Sequence, residues 1–408
     1  MYRLFQQAIA NGNSYVFLSA LVFKLAAGLS IAAIYVYYYS AGDMLNYAQD
    51  ARLLSDLFLK EPSFFFKVIS AQEQVEGLIY QNQSRALFFS KVSAVLALFT
   101  LQNFWLMNLA LSVANFIVCW MLIARLLKYF KCKPWVAYAS FLYFPSVVFW
   151  SSGLLKESVA MGLIYVLIAL FLDFYIGRKS SIGKSILFIV CAASLWFLKY
   201  YYAAALLPLL ITLLTIGSVG KKPFTRFQKW RFFALGAMVV LVLLTLITQL
   251  HPNLKPDFVL EAIVRNHKLS IAASEAEGYI GFSQLEPNLY SFIINSPKAI
   301  FGGLFLPLFK FEGAAFLASL ENLIFLIIFS YALAALFRKK RAWQHTELIF
   351  AAIVYIIFLS LLIALASPNY GSLSRYKVAY TPFCLFLCLL IISESQVFFS
   401  RFQSKKKI

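Results

Sequence analysis

Long apolar segments recur along this chain, and its charge is sorted between them. Apolar residues make up 62% of the 408 positions and charged residues only 13%, a balance that soluble domains do not reach. Several segments approach the twenty or so residues a helix needs to cross the hydrocarbon core of a bilayer. Each crossing must satisfy its backbone without water, and no segments of alternating polarity offer a barrel, so the crossings are helices. Hydropathy predicts spans over 14–38, 104–127, 135–150, 158–175, 185–198, 202–217, 232–250, 314–337, 348–366 and 378–393. The expected fold class is all-α, a polytopic transmembrane helical bundle of about ten spans. No internal repeat, low-complexity tract or linker interrupts it, so 1–408 reads as one integral membrane domain.

The charge pattern orients the bundle. More than half of the 36 Lys and Arg residues cluster in short hinges or at the termini: Arg125–Lys133, Arg178–Lys184, Lys221–Arg231, Arg338–Arg341 and Arg401–Lys407, with Arg3. Short basic hinges of this kind mark the cytoplasmic side, which places both termini inside. Most of the 17 acidic residues fall instead in two stretches that become external loops, 40–103 and 251–312. The first holds Asp43, Asp50, Asp56, Glu61, Glu73 and Glu76, and the second Asp257, Glu261, Glu275, Glu277, Glu286 and Glu312. The net charge of +19 thus belongs to membrane topology, and nucleic acid is not an expected partner. Five cysteines without a CxxC pair and three dispersed histidines suggest neither a disulfide framework nor a zinc cluster. A divalent metal stays open as a cofactor, with no ligand cluster to hold it. The first apolar segment is too long for a signal-peptide core and lacks a cleavage site, so it reads as a retained anchor.

Within the first loop, 86–100 is apolar enough to cross, but a crossing would put the Arg125–Lys133 hinge outside; it is expected to be re-entrant or interfacial. The tract 53–80 suits amphipathic helices lying on the outer surface with their apolar side toward lipid. In the second loop, 258–271 is expected to be one amphipathic helix, and Pro252, Pro256, Pro287 and Pro297 punctuate the remainder.

Charges left within the bilayer zone are functional candidates by default. They are Lys24, Lys156, Lys199, Arg375 and Lys377, with Glu157, Asp173, Glu321, Glu347 and Glu394. Asp173, Glu347 and Glu394 lie near cytoplasmic span ends, where solvated charge is ordinary. Lys24 is mid-span, with Glu321 its candidate partner. Lys199 opens the run Lys199-Tyr200-Tyr201-Tyr202 and reads equally as an interfacial anchor or a phosphate contact. The segment from Pro145 to Ser158 interrupts two apolar halves with Ser151, Ser152 and Gly153, then opens a helix on Lys156-Glu157. Either a serine caps that helix, or the break forms a cavity wall whose unpaired N–H groups and lysine face a phosphate. The last external loop carries Arg375-Tyr376-Lys377, a planar fork and an ammonium for phosphate oxygens beside a ring that stacks on sugar or prenyl groups. The alternative there is pairing with an acid of either external loop. Directly after the first span, Asp43 and Tyr47 share a helix face. Asp43 is then either an N-cap or a carboxylate at the membrane surface placed to deprotonate a sugar hydroxyl.

The arrangement Gly42-Asp43-x-x-x-Tyr47 directly after the first span resembles the GT-C class of integral membrane glycosyltransferases. Members of that class place a functional Asp, or Asp-Glu, at the start of the first external loop. The stretch Trp150-Ser-Ser-Gly-x-x-Lys156-Glu157-Ser158, with Arg375-Tyr376 followed by Pro382, is similar to envelope membrane proteins of the Bacteroidetes type, and related patterns occur in O-antigen and exopolysaccharide polymerases. Here Asp43 is followed by Met44, not Glu. The resemblance implies a polyprenyl-phosphate-linked sugar donor used at the outer face of the cytoplasmic membrane, with membrane lipids as the other partners. Asp43 is then the catalytic base, and Tyr47, Lys156, Glu157, Arg375, Tyr376 and Lys377 bind substrate. Asp43, Lys156 and Arg375 are expected to converge on one external cavity. Two other readings stand beside it: a transporter or flippase of a lipid-linked saccharide using the same cationic cavity, and a non-catalytic membrane subunit of an envelope assembly with the external loops as docking surfaces.

Overall fold

The computed structural model of this chain describes residues 1–10, 12–69, 75–175, 181–219, 238, 256–274, 278–310, 313–337 and 346–405. The span expected at 232–250 and the basic hinge 221–231 lie outside the described residues, apart from position 238. In chain order the helices are α1 (Tyr2–Ala10), α2 (Ser14–Ala33), α3 (Asp43–Lys60), α4 (Pro62–Ile69), α5 (Ser84–Phe99), α6 (Phe104–Phe130), α7 (Pro134–Tyr138) and α8 (Pro145–Trp150). They continue with α9 (Lys156–Tyr175), α10 (Ile182–Val219), α11 (Pro256–Ala272), α12 (Leu289–Phe305), α13 (Gly313–Phe337), α14 (Thr346–Ala366), α15 (Tyr370–Tyr376) and α16 (Thr381–Lys405). Among the described residues there is no strand, only an isolated bridge between Tyr279 and Asn369.

Six of these segments are long and apolar enough to cross a membrane: Ser14–Tyr39, Phe104–Phe130, Lys156–Tyr175, Ile182–Thr215, Ala315–Phe337 and Thr346–Ala366. A seventh arises if Tyr370–Ala379 and Thr381–Glu394, bent by 63°, form one span. The protein is therefore a multi-pass helical membrane protein, but the described residues do not supply the ten spans drawn from hydropathy. Proline explains one difference: Pro134 and Pro145 each open a separate short helix, so 135–150 is not one continuous rod. The segments 185–198 and 202–217 are present in α10 as two helices joined at a kink at Lys199, and they count as one of the six spans, Ile182–Thr215.

By packing, the chain divides into two compact units. The first comprises Met1–Ala124, Phe141–Ala169 and Ile182–Ala203, and the second Arg125–Ser140, Leu170–Ser181 and Ala204–Ile408.

In the first unit, α3 buries Met44, Tyr47, Ala48, Ala51, Leu54 and Ser55 along one face, the three-to-four spacing of an amphipathic helix. That face packs on α5, and Leu54, Val68, Leu78 and Ala94 meet there in a small core. Of the tract 53–80 expected to face lipid, Leu54, Val68 and Leu78 pack on protein instead. In α2, Gly28 allows close packing on α6, since an added Cβ would lie 2.2 Å from Ser112 Oγ. Lys24, for which Glu321 was the candidate partner, donates to Ser151 O at 2.7 Å and to Ser151 Oγ at 2.5 Å.

The break between α8 and α9 is closed by side chains from α6 as well. Gly153, at φ +72°, donates its N–H to Ser112 Oγ at 3.1 Å, and Leu154 donates its own to Asn108 Oδ1 at 2.8 Å. Non-helical backbone at membrane depth is tolerated when protein groups complete its hydrogen bonds, as they do here. Neither serine caps α9: Ser151 and Ser152 donate back to the carbonyls of Val147 and Val148.

In the second unit, α14 packs against α11, α12 and α16. Tyr380 donates to Gly303 O at 2.5 Å, and Tyr355 to Ala379 O at 3.1 Å. The 278–280 segment pairs with the loop after α14 through Ile280 N–H to Pro368 O and Tyr370 N–H to Gly278 O. The helix expected at 258–271 is present as α11, whereas α12 contains Pro297 within it. Asp173, expected to be solvated, is buried and takes a bidentate pair from Arg125 at 3.0 and 3.1 Å.

His267 on α11 is buried, and its Nδ1 lies 2.9 Å from Leu365 O. Burial holds the imidazole below its ordinary 6.5, with the backbone contact opposing. Below 6.5 the unfolded chain therefore binds more protons than the folded one, so stability is full above that value and lost as pH falls through it. Melting curves in detergent from about pH 7.5 to about pH 5.5 should fall on the acid side, and fall less for His267→Gln. Equal acid slopes in the two proteins contradict this role.

Candidate functional site

The first unit gathers the expected residues of the first loop around two tyrosines. Gly42, at φ +119°, occupies the N-cap of α3, so Asp43 is the first helical residue and not the cap. Its carboxylate accepts from Tyr80 Oη at 3.0 Å, and Asn46, one turn on, donates to the same hydroxyl at 3.4 Å. Tyr80 is itself clamped. Asp50, fully buried, accepts from Ile79 N–H at 2.8 Å, Tyr80 N–H at 3.3 Å and Ser90 Oγ at 2.9 Å. One carboxylate of α3 thus builds the loop, and the loop orients the other carboxylate of α3. Burial pushes the Tyr80 phenol up to about 12, the Asn46 hydrogen bond opposes it, and the Asp43 charge adds to it. Tyr80 remains a proton donor at any physiological pH.

Tyr47 lies at the centre. Its ring stacks on Tyr80 at 4.6 Å and 29°, and meets Phe89 edge-on at 4.7 Å. Its hydroxyl is buried, with no hydrogen-bond partner among the described residues. Burial raises its pKa, and the nearby carboxylates Asp43 and Glu157 raise it further. Lys156 Nζ lies 5.3 Å from the Tyr47 ring centroid, within the range of a cation–π contact. Asp43, Tyr47, Lys156 and Glu157 are therefore neighbours, although the sequence separates the two pairs by more than a hundred positions.

Glu157 is not presented to solvent. It is 1% exposed and accepts from Lys199 Nζ at 2.8 Å, inside a pair whose lysine side chain is only 7% exposed. Lys199 also donates to Tyr201 Oη at 3.1 Å. Its backbone, at φ −146° and ψ 75°, marks the break in α10. From sequence, Lys199 reads as an interfacial anchor or a phosphate contact; the structure instead places it in a buried ion pair with Glu157. Glu157 accordingly serves as the counter-ion of Lys199 and as a charge near Tyr47.

The second unit holds the other expected residues. Arg375 lies in the last turn of α15, donates to Tyr376 Oη at 3.2 Å and lies 5.1 Å from that ring. Lys377 differs from expectation. It is 4% exposed, donates to Asn322 Oδ1 and reaches Leu306 O at 3.5 Å, while Asn322 donates to Pro307 O at 2.9 Å. It is held in protein rather than offered to an external phosphate, with Glu321 as a nearby charge.

Sequence reading missed Tyr80, Asn46 and Asp50. Asn46 carried a usable signal, since it lies three residues after Asp43 on the same helix. Tyr80 carried none: it comes from a loop 37 residues downstream. Among the described residues no three His, Cys, Asp or Glu side chains group closely enough to hold a metal ion. No protein-family model, curated protein or solved structure matches this chain.

Proposed function

We propose that this chain is a membrane-embedded glycosyltransferase or glycan polymerase. In this reading it uses a polyprenyl-phosphate-linked sugar at the outer face of the cytoplasmic membrane. The observation that carries the reading is the oriented carboxylate: Asp43, at the end of the first span, is held by Tyr80 with Lys156 close by. The acceptor hydroxyl oxygen attacks the anomeric carbon of the donor sugar, and its proton passes to Asp43. The bond from that carbon to the phosphate oxygen breaks, and the departing polyprenyl phosphate takes the electron pair. Lys156 faces the added negative charge, an electrostatic stabilisation that outweighs the proton transfer. Arg375 and Tyr376 are a second cationic and aromatic pair suited to a lipid phosphate, on the second unit. Lys377, Glu157 and Lys199 are assigned to structure.

The test of this reading is retention of the donor. Protein purified from a producing membrane should carry a polyprenyl-phosphate-linked saccharide detectable by native mass spectrometry, and Lys156→Ala should lower its occupancy about tenfold, the loss of one partly desolvated charge contact. Unchanged occupancy in the variant removes Lys156 from the phosphate site.

A further inference from the structure

The turn joining α5 to α6 leaves two large apolar side chains unusually bare. Phe99 is 83% exposed and Leu101 86%. The turn itself is firmly tied. Gln102 donates its N–H to Ala97 O at 2.8 Å and its side-chain amide to Asp56 Oδ1 at 2.5 Å, while Arg52 donates to Gln102 O at 3.1 Å. Asn103 Oδ1 accepts from Trp105 and Leu106 N–H and caps α6. Leu101 and Gln102 both hold positive φ, 51° and 56°, a conformation that side-chain-bearing residues keep only where the surroundings impose it. The polar groups of this turn are bonded within the protein, and its apolar side chains are left bare.

The same asymmetry runs along α5. Its buried face, with Ala86, Ser90, Ser93, Ala94 and Ala97, belongs to a helix that packs on α3. Val92, Val95 and Phe99 are exposed at i, i+3 and i+7. The charges of α5 sit in its first half: Arg85 lies 4.1 Å from the Tyr200 ring centroid, and Lys91 donates to Val68 O. From Val92 to Leu101 there is no charge. This uncharged end runs within two residues of α6, a candidate span, whose first turn carries Trp105 stacked at 6.4 Å on the exposed Tyr37 of the first span. Aromatic residues at span ends mark the membrane–water interface, so the bare tip continues a surface that already faces lipid.

We infer that the Phe99–Leu101 turn, with the outer face of α5, is a lipid-inserting wedge whose occupant is the interfacial zone of the bilayer. At 16 residues α5 is shorter than a helical span requires; it lies along the boundary with its uncharged end inserted. Through Arg52 and Asp56 the wedge is tied to α3, the helix that begins at Asp43, so lipid contact sets the height of that helix at the membrane surface. This inference rests on the membrane reading alone and stands whether or not the chain transfers sugars.

The test is photocrosslinking of the full chain in vesicles of phosphatidylethanolamine and phosphatidylglycerol. p-Benzoylphenylalanine is placed at 99, at 101 or, as a control, at the exposed Gln83. Peptides carrying position 99 or 101 should gain the mass of one phospholipid on irradiation, and those carrying position 83 should not. Because Phe99 and Leu101 pack against little, these replacements leave the core intact. Crosslinks from 99 and 101 to protein alone, or no adduct at either, overturn the inference. Adducts of equal yield at 83 overturn it as well, because the whole surface would then touch lipid.

Discussion

Replacing Glu157 with alanine should destabilise the protein by about 3–5 kcal/mol, and Lys199→Ala should do the same, because each leaves an uncompensated charge in a buried site. The two side chains are 1% and 7% exposed and their charged atoms are 2.8 Å apart. Water cannot replace the lost partner at so little cost as it would on the surface, where such pairs are worth about 0–1 kcal/mol. Removing both charges together changes the balance. Glu157→Gln combined with Lys199→Met removes two desolvation penalties along with one attraction and should recover most of the single-variant loss. Unfolding of the parent protein and these three variants in detergent, followed by tryptophan fluorescence, measures the losses. Losses that simply add in the double variant would show that the two residues do not act as a pair.

Asp43→Asn should lower turnover about 10²–10⁴-fold, the range general-base removal produces, with donor binding kept. The substitution preserves shape and still accepts a hydrogen bond from Tyr80, so it removes basicity and little else. Tyr80→Phe should cost less, since it frees the carboxylate to rotate but leaves it present; its signature is a fall in kcat at nearly unchanged KM. Steady-state kinetics with a polyprenyl-phosphate-linked sugar separate these outcomes. If Asp43→Asn keeps full turnover, the carboxylate belongs to the loop structure together with Asp50.

The helical membrane class was legible because it depends on local quantities. Apolar length alone marks the spans. Where the prediction went astray, the missing quantity was a contact distant in sequence. Nothing near Ser151 shows that Lys24 reaches it, and nothing near Gly153 announces Ser112. Thus an interruption that reads as an open cavity wall is instead closed by α2 and α6. Similarly, Asp43 and Asp50 are both acids of one loop, and only the fold shows that Asp50 takes three donors while Asp43 takes the Tyr80 hydroxyl. Lys377 illustrates the same limit from the other side: its neighbours Arg375 and Tyr376 are partly exposed, but Asn322, 55 residues upstream, draws it inward.

The central claim is that this chain breaks the sugar–phosphate bond rather than carrying an intact lipid-linked sugar across the bilayer. It is tested most directly with purified protein in sealed vesicles whose outer leaflet holds a polyprenyl-phosphate-linked sugar, with an acceptor saccharide outside. Extracted lipids are analysed by mass spectrometry over time. The account predicts free polyprenyl phosphate and glycosylated acceptor in equal amounts, both lost in Asp43→Asn. Intact lipid-linked sugar that becomes protected from membrane-impermeant periodate added outside before extraction, with no free polyprenyl phosphate, would contradict it.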